Sequence, residues 1–454
     1  MKKYYIPPIL VLAVIILVVV AFPSQQQDNV SCNNCNVIIV TSEAIRPDHL
    51  GIYGYQRNTT PNIDSFFRKG FVFENDFAQA PNTLPSHMTI LTGLYPSHHK
   101  VIDVNSNNSL SNEYYTLPEI LKLYDYKTAG FHSSNPHMNP KFGFSRGFDI
   151  YKRIGVVYHD DVLDFINSSE NSKFFIYIQS TNVVDPYVAP HPYDTMFDNN
   201  YTGKIVGNSD EFEALMRKNN LTWQTSDFDK VRLLYWNLVN KSDPRDIRHL
   251  EVLYDANIYW TDLFFGRIIN SLEELGILNH TIVIFGAGHG EEFGEHGGFL
   301  HEKLYDETIH VPLLIYVPGA RPKIIENQVG NVDIMPTILS ILNIPQPENI
   351  DGRSLKFLME NPNANDPNQI LYSEFVSQMA VRTPEWKMIE SLNNSVVSYE
   401  LYNLKKNPQE KINLIDKNLT QENELKSDLQ NYEVKFNSTF TDLKLINSTF
   451  IGYP

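Results

Sequence analysis

The sequence is poor in cysteine and in basic residues, and it shows no internal repeat. Its 454 residues include two cysteines, Cys32 and Cys35. That count excludes a disulfide-rich scaffold and a multi-cysteine zinc domain. Lysine and arginine total 37 against 53 acidic residues, a net charge of −16. Such a balance excludes non-specific binding to nucleic acid, which needs a basic face. An anionic substrate stays open, because a bound cation or a helix N-terminus can reverse the sign inside a pocket. The chain is 42% hydrophobic and 20% charged, enough apolar material for a sizeable core and against wholesale disorder.

At the N-terminus, Lys2 and Lys3 precede an uncharged run from Ile6 to Phe22, 17 residues long. This is the lower end of what spans a bilayer as a helix, and its flanking charges orient the rest of the chain outward. Residues 1–24 read as a signal anchor or a cleaved signal peptide, with Val19 and Ala21 offering a small-residue cleavage site. The expectation is a membrane-anchored domain outside the cytoplasm, or a secreted one. Twelve N-x-S/T sequons spread over the chain point the same way, although an asparagine-rich chain also makes some by chance. Cys32 and Cys35 have C-x-x-C spacing. A redox motif would open a helix, whereas this pair leads into a strand and reads as a small structural disulfide.

Residues 25–35 form a polar linker. Continuous apolar runs follow at Asn36–Thr41, Phe174–Ile178, Thr281–Phe285 and Val311–Val317, as expected of strands buried on both faces. Between them lie helical patterns, the clearest over about Glu251–Leu275, and another at Asp333–Leu342 with Pro336 in its first turn. This alternation predicts an α/β fold with a mostly parallel central sheet and helices on both faces. The large domain covers 36–350, with 199–248 as an insertion or lid. Residues 351–454 change to short β-like pieces and a polar helical tail, a smaller C-terminal α+β subdomain.

Chemistry in such a sheet belongs at the carboxyl ends of strands. The first strand runs into Thr41-Ser42-Glu43, and a later one into Gly286-Ala287-Gly288-His289-Gly290-Glu291-Glu292. A third stretch, TLPSHMTILTG from Thr83, places Thr83 at a helix start, where free N–H groups favour an anion. A carboxylate, a hydroxyl and an imidazole from Glu43, Thr83 and His289 suit a divalent cation that activates a nucleophilic hydroxyl. Taken one at a time, each residue also has a plain reading: a solvated glutamate, an N-cap and a structural histidine.

At these residues the chain resembles the sulfatase family of the alkaline phosphatase superfamily. SEAIRPDHLGIYGYQRNTTPNID (42–64) resembles the opening motif and TLPSHMTILTGLYPSHHKV (83–101) the nucleophile motif. GHGEEFGEHGGFLHEKLYDETIHVPLLIYVPG (288–319) resembles the second metal motif, and NVDIMPTILSILNIP (331–345) a late one. The resemblance implies an alkaline phosphatase-like fold and one divalent cation, Ca2+ or Mn2+/Zn2+. It implies a sulfate- or phosphate-ester substrate, on a cell-surface glycan or lipid.

The sequence departs from the family pattern at the chemistry. Thr83 replaces the Cys or Ser converted to formylglycine, so no formylglycine is expected. His87 replaces an Arg, Gly288 replaces a metal-ligand Asp, and Val184 replaces a His before Pro-Tyr. The Glu43–Thr83 pairing resembles the phosphoethanolamine transferase and lipoteichoic acid synthase branch, in which Thr is the nucleophile. The resemblance assigns Thr83, His87, Lys303 and His301 to catalysis and Glu43, Thr83 and His289 to the metal. Gly288 leaves three outcomes open: a weakly binding site, a remodelled ligand set, or a non-catalytic pseudoenzyme that keeps the fold as a surface binding module.

Overall fold

The run NVIIVTS forms β1, Asn36–Ser42, buried along its whole length. In a strand, alternate side chains face opposite ways, so β1 feeds two cores at once. Val37 and Ile39 join an apolar cluster with Met88, Leu91 and Ile338. Ile38 and Val40 join another with Leu253, Phe264 and Ile268. The computed structural model describes residues 29–133, 136–155, 160–366, 369–417 and 419–436.

Seven further strands complete the large sheet: β2 (Phe71–Phe77), β3 (Lys127–His132), β4 (Ile150–Arg153), β5 (Phe174–Ser180), β6 (Thr281–Ala287), β9 (His310–Tyr316) and β10 (Lys323–Gly330). The short strands β7 (Glu292–Phe293) and β8 (Phe299–Leu300) pair separately. Strand order is β10-β2-β9-β6-β1-β5-β3-β4. β1 lies between β5 and β6, parallel to both. β9 runs antiparallel to its neighbours β2 and β6, which alternation of strands and helices does not reveal. The mostly parallel α/β sheet otherwise matches the expectation.

The helix Pro244–Glu274 begins before the expected Glu251, because Asp243 caps it by accepting from the Arg245 N–H and Pro244 suits its first turn. The weakly periodic stretch 199–248 contains two further helices, Ser209–Lys218 and Phe228–Trp236. Phe212, Val231 and Tyr235 from them enter the core of the large domain. After residue 351, strands β11 (Leu371–Phe375), β12 (Gln378–Arg382), β13 (Trp386–Asn393) and β14 (Val396–Asn403) form an antiparallel meander. The helix Thr420–Phe436 covers it, with Leu425, Leu429 and Tyr432 against Met379, Val381 and Met388. Cys32 and Cys35 form a disulfide just before β1. The expected membrane helix at 1–24 lies outside the described residues; among those described, no helix is long and apolar enough to cross a membrane.

Candidate active site

Glu43 follows β1 directly and is fully buried. Thr83 opens the helix Thr83–Thr92, and its hydroxyl donates to Glu43 Oε2 at 3.2 Å. His289 follows β6, the neighbour of β1, and its Nε2 lies 2.8 Å from the same oxygen. The other carboxylate oxygen, Oε1, accepts from Gln179 Nε2 at 2.9 Å and contacts His87 Nε2. Tyr177 holds the second nitrogen of His87. Burial by itself would raise the Glu43 carboxyl, but the His87 and His289 imidazoles hold it well below the usual carboxylate range. A small pocket lined by Asn82, Leu84, Pro85 and His137 opens beside Thr83.

The His289 ring is oriented from behind. Its Nδ1 meets the Gly290 carbonyl oxygen at 2.9 Å, so Nδ1 carries a proton and Nε2 is turned to Glu43, where a bound cation or a proton can sit. That nitrogen is fully buried and faces Glu43 Oε2. A lone pair facing a carboxylate calls for positive charge between them. Burial works against charge on His289, yet Glu43 holds its pKa above the usual imidazole value.

A second group of ionisable residues lies against the first. The His301 ring packs on His289 with centroids 4.2 Å apart, and its Nδ1 is 3.2 Å from Glu291 Oε1. Burial drives His301 well below the usual value, so it stands neutral. Burial and then Asp185 push Glu291 up to about 8. Asp185 is itself buried and takes two bonds from Arg232, at 2.9 and 2.8 Å, and one from Trp236 Nε1 at 2.7 Å. Burial lowers His137 to about 4, within the field of Glu43, His301 and His289. Lys303 is turned away from Glu43, with Nζ held by the His296 carbonyl at 2.7 Å and Glu292 Oε1 at 3.4 Å. Glu291 and Glu292 therefore face His301 and Lys303 and do not replace the missing carboxylate at 288. Asp185, Arg232 and His137 escape a sequence reading. Their only local signal is the D-P-Y tripeptide at 185–187, because Arg232 sits in the stretch of weakest periodicity.

The sulfatase profile matches residues 35–344, a span that includes every residue of this cluster. The chain belongs to the sulfatase family. An N-sulphoglucosamine sulphohydrolase C-terminal profile matches residues 294–435. Arylsulfatase K of Rattus norvegicus is 26% identical over 436 residues, covering 84% of this chain and 74% of the relative. The fold matches a structure solved in complex with D-glucosamine-2-N,6-O-disulfate, with a TM-score of 0.73 at 20% identity, covering 89% of this chain and 98% of the other. It also matches a phosphonate monoester hydrolase of Agrobacterium radiobacter, with a TM-score of 0.67 at 19% identity and coverage of 89% and 96%.

Sulfatases as a family bind a divalent metal, and the residues present fit one. Glu43 Oε2, the Thr83 hydroxyl and the buried His289 Nε2 gather at one point. One carboxylate, one hydroxyl and one imidazole are all groups that ligate divalent cations. The Gly288 departure from the sulfatase pattern also has a spatial cause. A Cβ at 288 would stand 2.9 Å from His87 Nε2 and 3.0 Å from Glu43 Oε2. The Gly288 backbone is not in the left-handed region, so space selects glycine here. The His87 ring and the Glu43 carboxylate therefore crowd any side chain placed at 288.

Proposed function

We propose that the protein hydrolyses sulfate esters, with Thr83 as the nucleophile. The observation that carries this reading is the convergence of Thr83 Oγ1 and His289 Nε2 on one oxygen of the buried Glu43. Glu43, His289 and Thr83 would hold the divalent cation, which when bound lowers the pKa of the Thr83 hydroxyl and offsets charge on the ester oxygens. Thr83 Oγ1 attacks the ester sulfur, and the bond from sulfur to the leaving alcohol breaks. The Thr83 proton is released to water, because Glu43, held well below the usual carboxylate range, stays ionised. Because Glu291 is pushed up to about 8, the Glu291–His301 pair carries a proton at neutral pH for the leaving oxygen. Water then hydrolyses the Thr83 ester, releasing sulfate and restoring the hydroxyl. His87 holds Glu43 in place from its other oxygen. Oxidation of a threonine at Cβ gives a ketone and not the formylglycine aldehyde, so the nucleophile is the unmodified hydroxyl.

A sulfated sugar of a cell-surface glycan is the substrate class we favour. The complex of a structural neighbour with a disulfated glucosamine supports it. Phosphate-ester hydrolysis or transfer is the second reading, favoured by the Glu43–Thr83 pairing and by the phosphonate monoester hydrolase among the similar folds. We also place the domain outside the cytoplasm, anchored or released at residues 1–24. Lys2, Lys3 and the apolar run support this, as do the Cys32–Cys35 disulfide and the exposure of all nine sequon asparagines among the described residues.

The test is turnover of aryl sulfates, sugar sulfates, phosphate monoesters and phosphate diesters with added calcium, manganese or zinc. We expect metal-dependent sulfate release that Thr83→Ala abolishes. No turnover of any ester, unchanged by Thr83→Ala, would establish the pseudoenzyme alternative. Turnover confined to phosphate esters would establish the second reading.

A further inference from the structure

The pocket beside Thr83 is built from three separate stretches of the chain. Asn82 precedes the helix Thr83–Thr92, Ile102, Asp103 and Val104 lie in the loop after Lys100, and Phe375 and Val376 form the tip of the β11–β12 hairpin. The cavity measures about 50 Å³, where one water takes about 30 Å³ in the liquid, so it admits a substituent of about one or two heavy atoms. A sugar or aryl ring stays at its mouth.

Two polar groups in the lining are left open. Asn82 occupies the N-cap of its helix, where an asparagine ordinarily accepts from a first-turn N–H. Here its side chain caps nothing, and its Oδ1 is buried without a hydrogen-bond partner. Asp103 is 9% exposed. Its Oδ1 accepts from the Asn105 N–H at 2.9 Å, which leaves Oδ2 with no protein donor among the described residues. Glu374, the other acid in the lining, is already engaged by Ser97 and the Tyr432 hydroxyl. Both open groups are acceptors, so the ligand group that satisfies them is a donor.

The apolar wall is held in a strained conformation. Phe375 pairs with Gln378 across the hairpin, so its turn is Val376-Ser377. A two-residue turn of this kind asks for positive φ, which Gly, Asn or Asp normally supplies. Here Val376 takes it, at φ 35, an outlier for a β-branched residue. The Leu392 N–H donates to the Ser377 carbonyl at 2.8 Å and fixes the tip. Strain of this sort collects where a side chain meets a ligand, and Val376 lines the pocket.

We infer that this pocket selects a free hydroxyl on the atom next to the sulfate-bearing one, with Asp103 and Asn82 accepting its hydrogen bonds and the apolar wall limiting its size. The inference rests on Thr83 as the reacting group, and it makes the substrate a sulfate ester of a sugar or polyol whose neighbouring hydroxyl is unmodified. A second sulfate at that place is rejected, because it brings negative charge to a carboxylate and exceeds the space. The test uses sulfonates in which CH2 replaces the ester oxygen, so that none is hydrolysed: phenylmethanesulfonate and its 2-hydroxy and 2-methoxy derivatives. Their affinities for the full-length protein are measured by titration calorimetry with added calcium. We expect the hydroxy compound to bind about tenfold tighter than the unsubstituted one, as a hydrogen bond to a charged group gives. The methoxy compound has no O–H and should lose that gain. Asp103→Ala should erase the difference between the hydroxy and unsubstituted compounds. The wild-type comparison needs no variant, so a folding failure of Asp103→Ala leaves the idea falsifiable. Equal wild-type affinities, no binding of either compound, or a preference that survives Asp103→Ala overturns the inference. These affinities do not depend on turnover, so an intact preference without sulfate-ester hydrolysis supports the pocket and strikes the proposed function alone.

Discussion

Gly288→Asp would restore the carboxylate that the sulfatase pattern carries, and the structure predicts that it harms this chain. The new Cβ would meet His87 Nε2 at 2.9 Å and Glu43 Oε2 at 3.0 Å, where ordinary contact begins at 3.4 Å. Neither atom can step aside, because the His87 ring is held at both nitrogens by Tyr177 and Glu43. Overpacking of this kind costs about 1–3 kcal/mol, and a second carboxylate beside Glu43 adds to it. The cost belongs to the contact with His87, so it should shrink when the imidazole is gone. A double-mutant cycle with His87→Ala, read by urea unfolding, should show a coupling of about 1 kcal/mol or more. If the two changes add within about 0.5 kcal/mol, His87 does not crowd the side chain at 288 and the reasoning fails.

Three other outcomes can be checked directly. The tryptic peptide containing Thr83 should have its unmodified mass in active protein, and any mass loss at Thr83 would contradict a hydroxyl nucleophile. Arg232→Met leaves the buried Asp185 without its cation and should cost about 3–5 kcal/mol in urea unfolding; a loss below about 1 kcal/mol, the surface-pair range, would show the pair to be incidental. Burial holds the Asp262 carboxyl up at about 6, against about 4 in an unfolded chain. The native state then binds that proton more tightly, so its contribution is full below about pH 4 and is lost as pH rises through 6. Asp262→Asn should therefore lose less stability than the wild type between pH 4.5 and 6.5, and equal melting-temperature changes would refute this assignment.

Much of the site was legible in the sequence because its key members directly follow strands with strong local signals. Glu43 comes straight after an unbroken apolar run, and His289 follows another within a glycine-rich stretch. Thr83 is marked by Pro85 and the helix it opens. Parallel neighbours in a sheet bring such strand ends together, so Glu43 and His289 could be paired before any coordinates. Lys303 shows where this logic stops. It matches the family motif, yet a long side chain can turn either way, and here the β7–β8 turn holds it.

Composition and local pattern thus point to the α/β class and the acidic balance, since those depend on neighbours along the chain, while the candidate nucleophile and its two partners rest on strand-end position together with the resemblance to the sulfatase family. Only the folded chain shows that a side chain at 288 would meet His87 and that Arg232 neutralises Asp185. Steric exclusion and charge pairing act over a few ångströms of space. They join residues dozens to hundreds of positions apart, a relation that one-dimensional periodicity does not record.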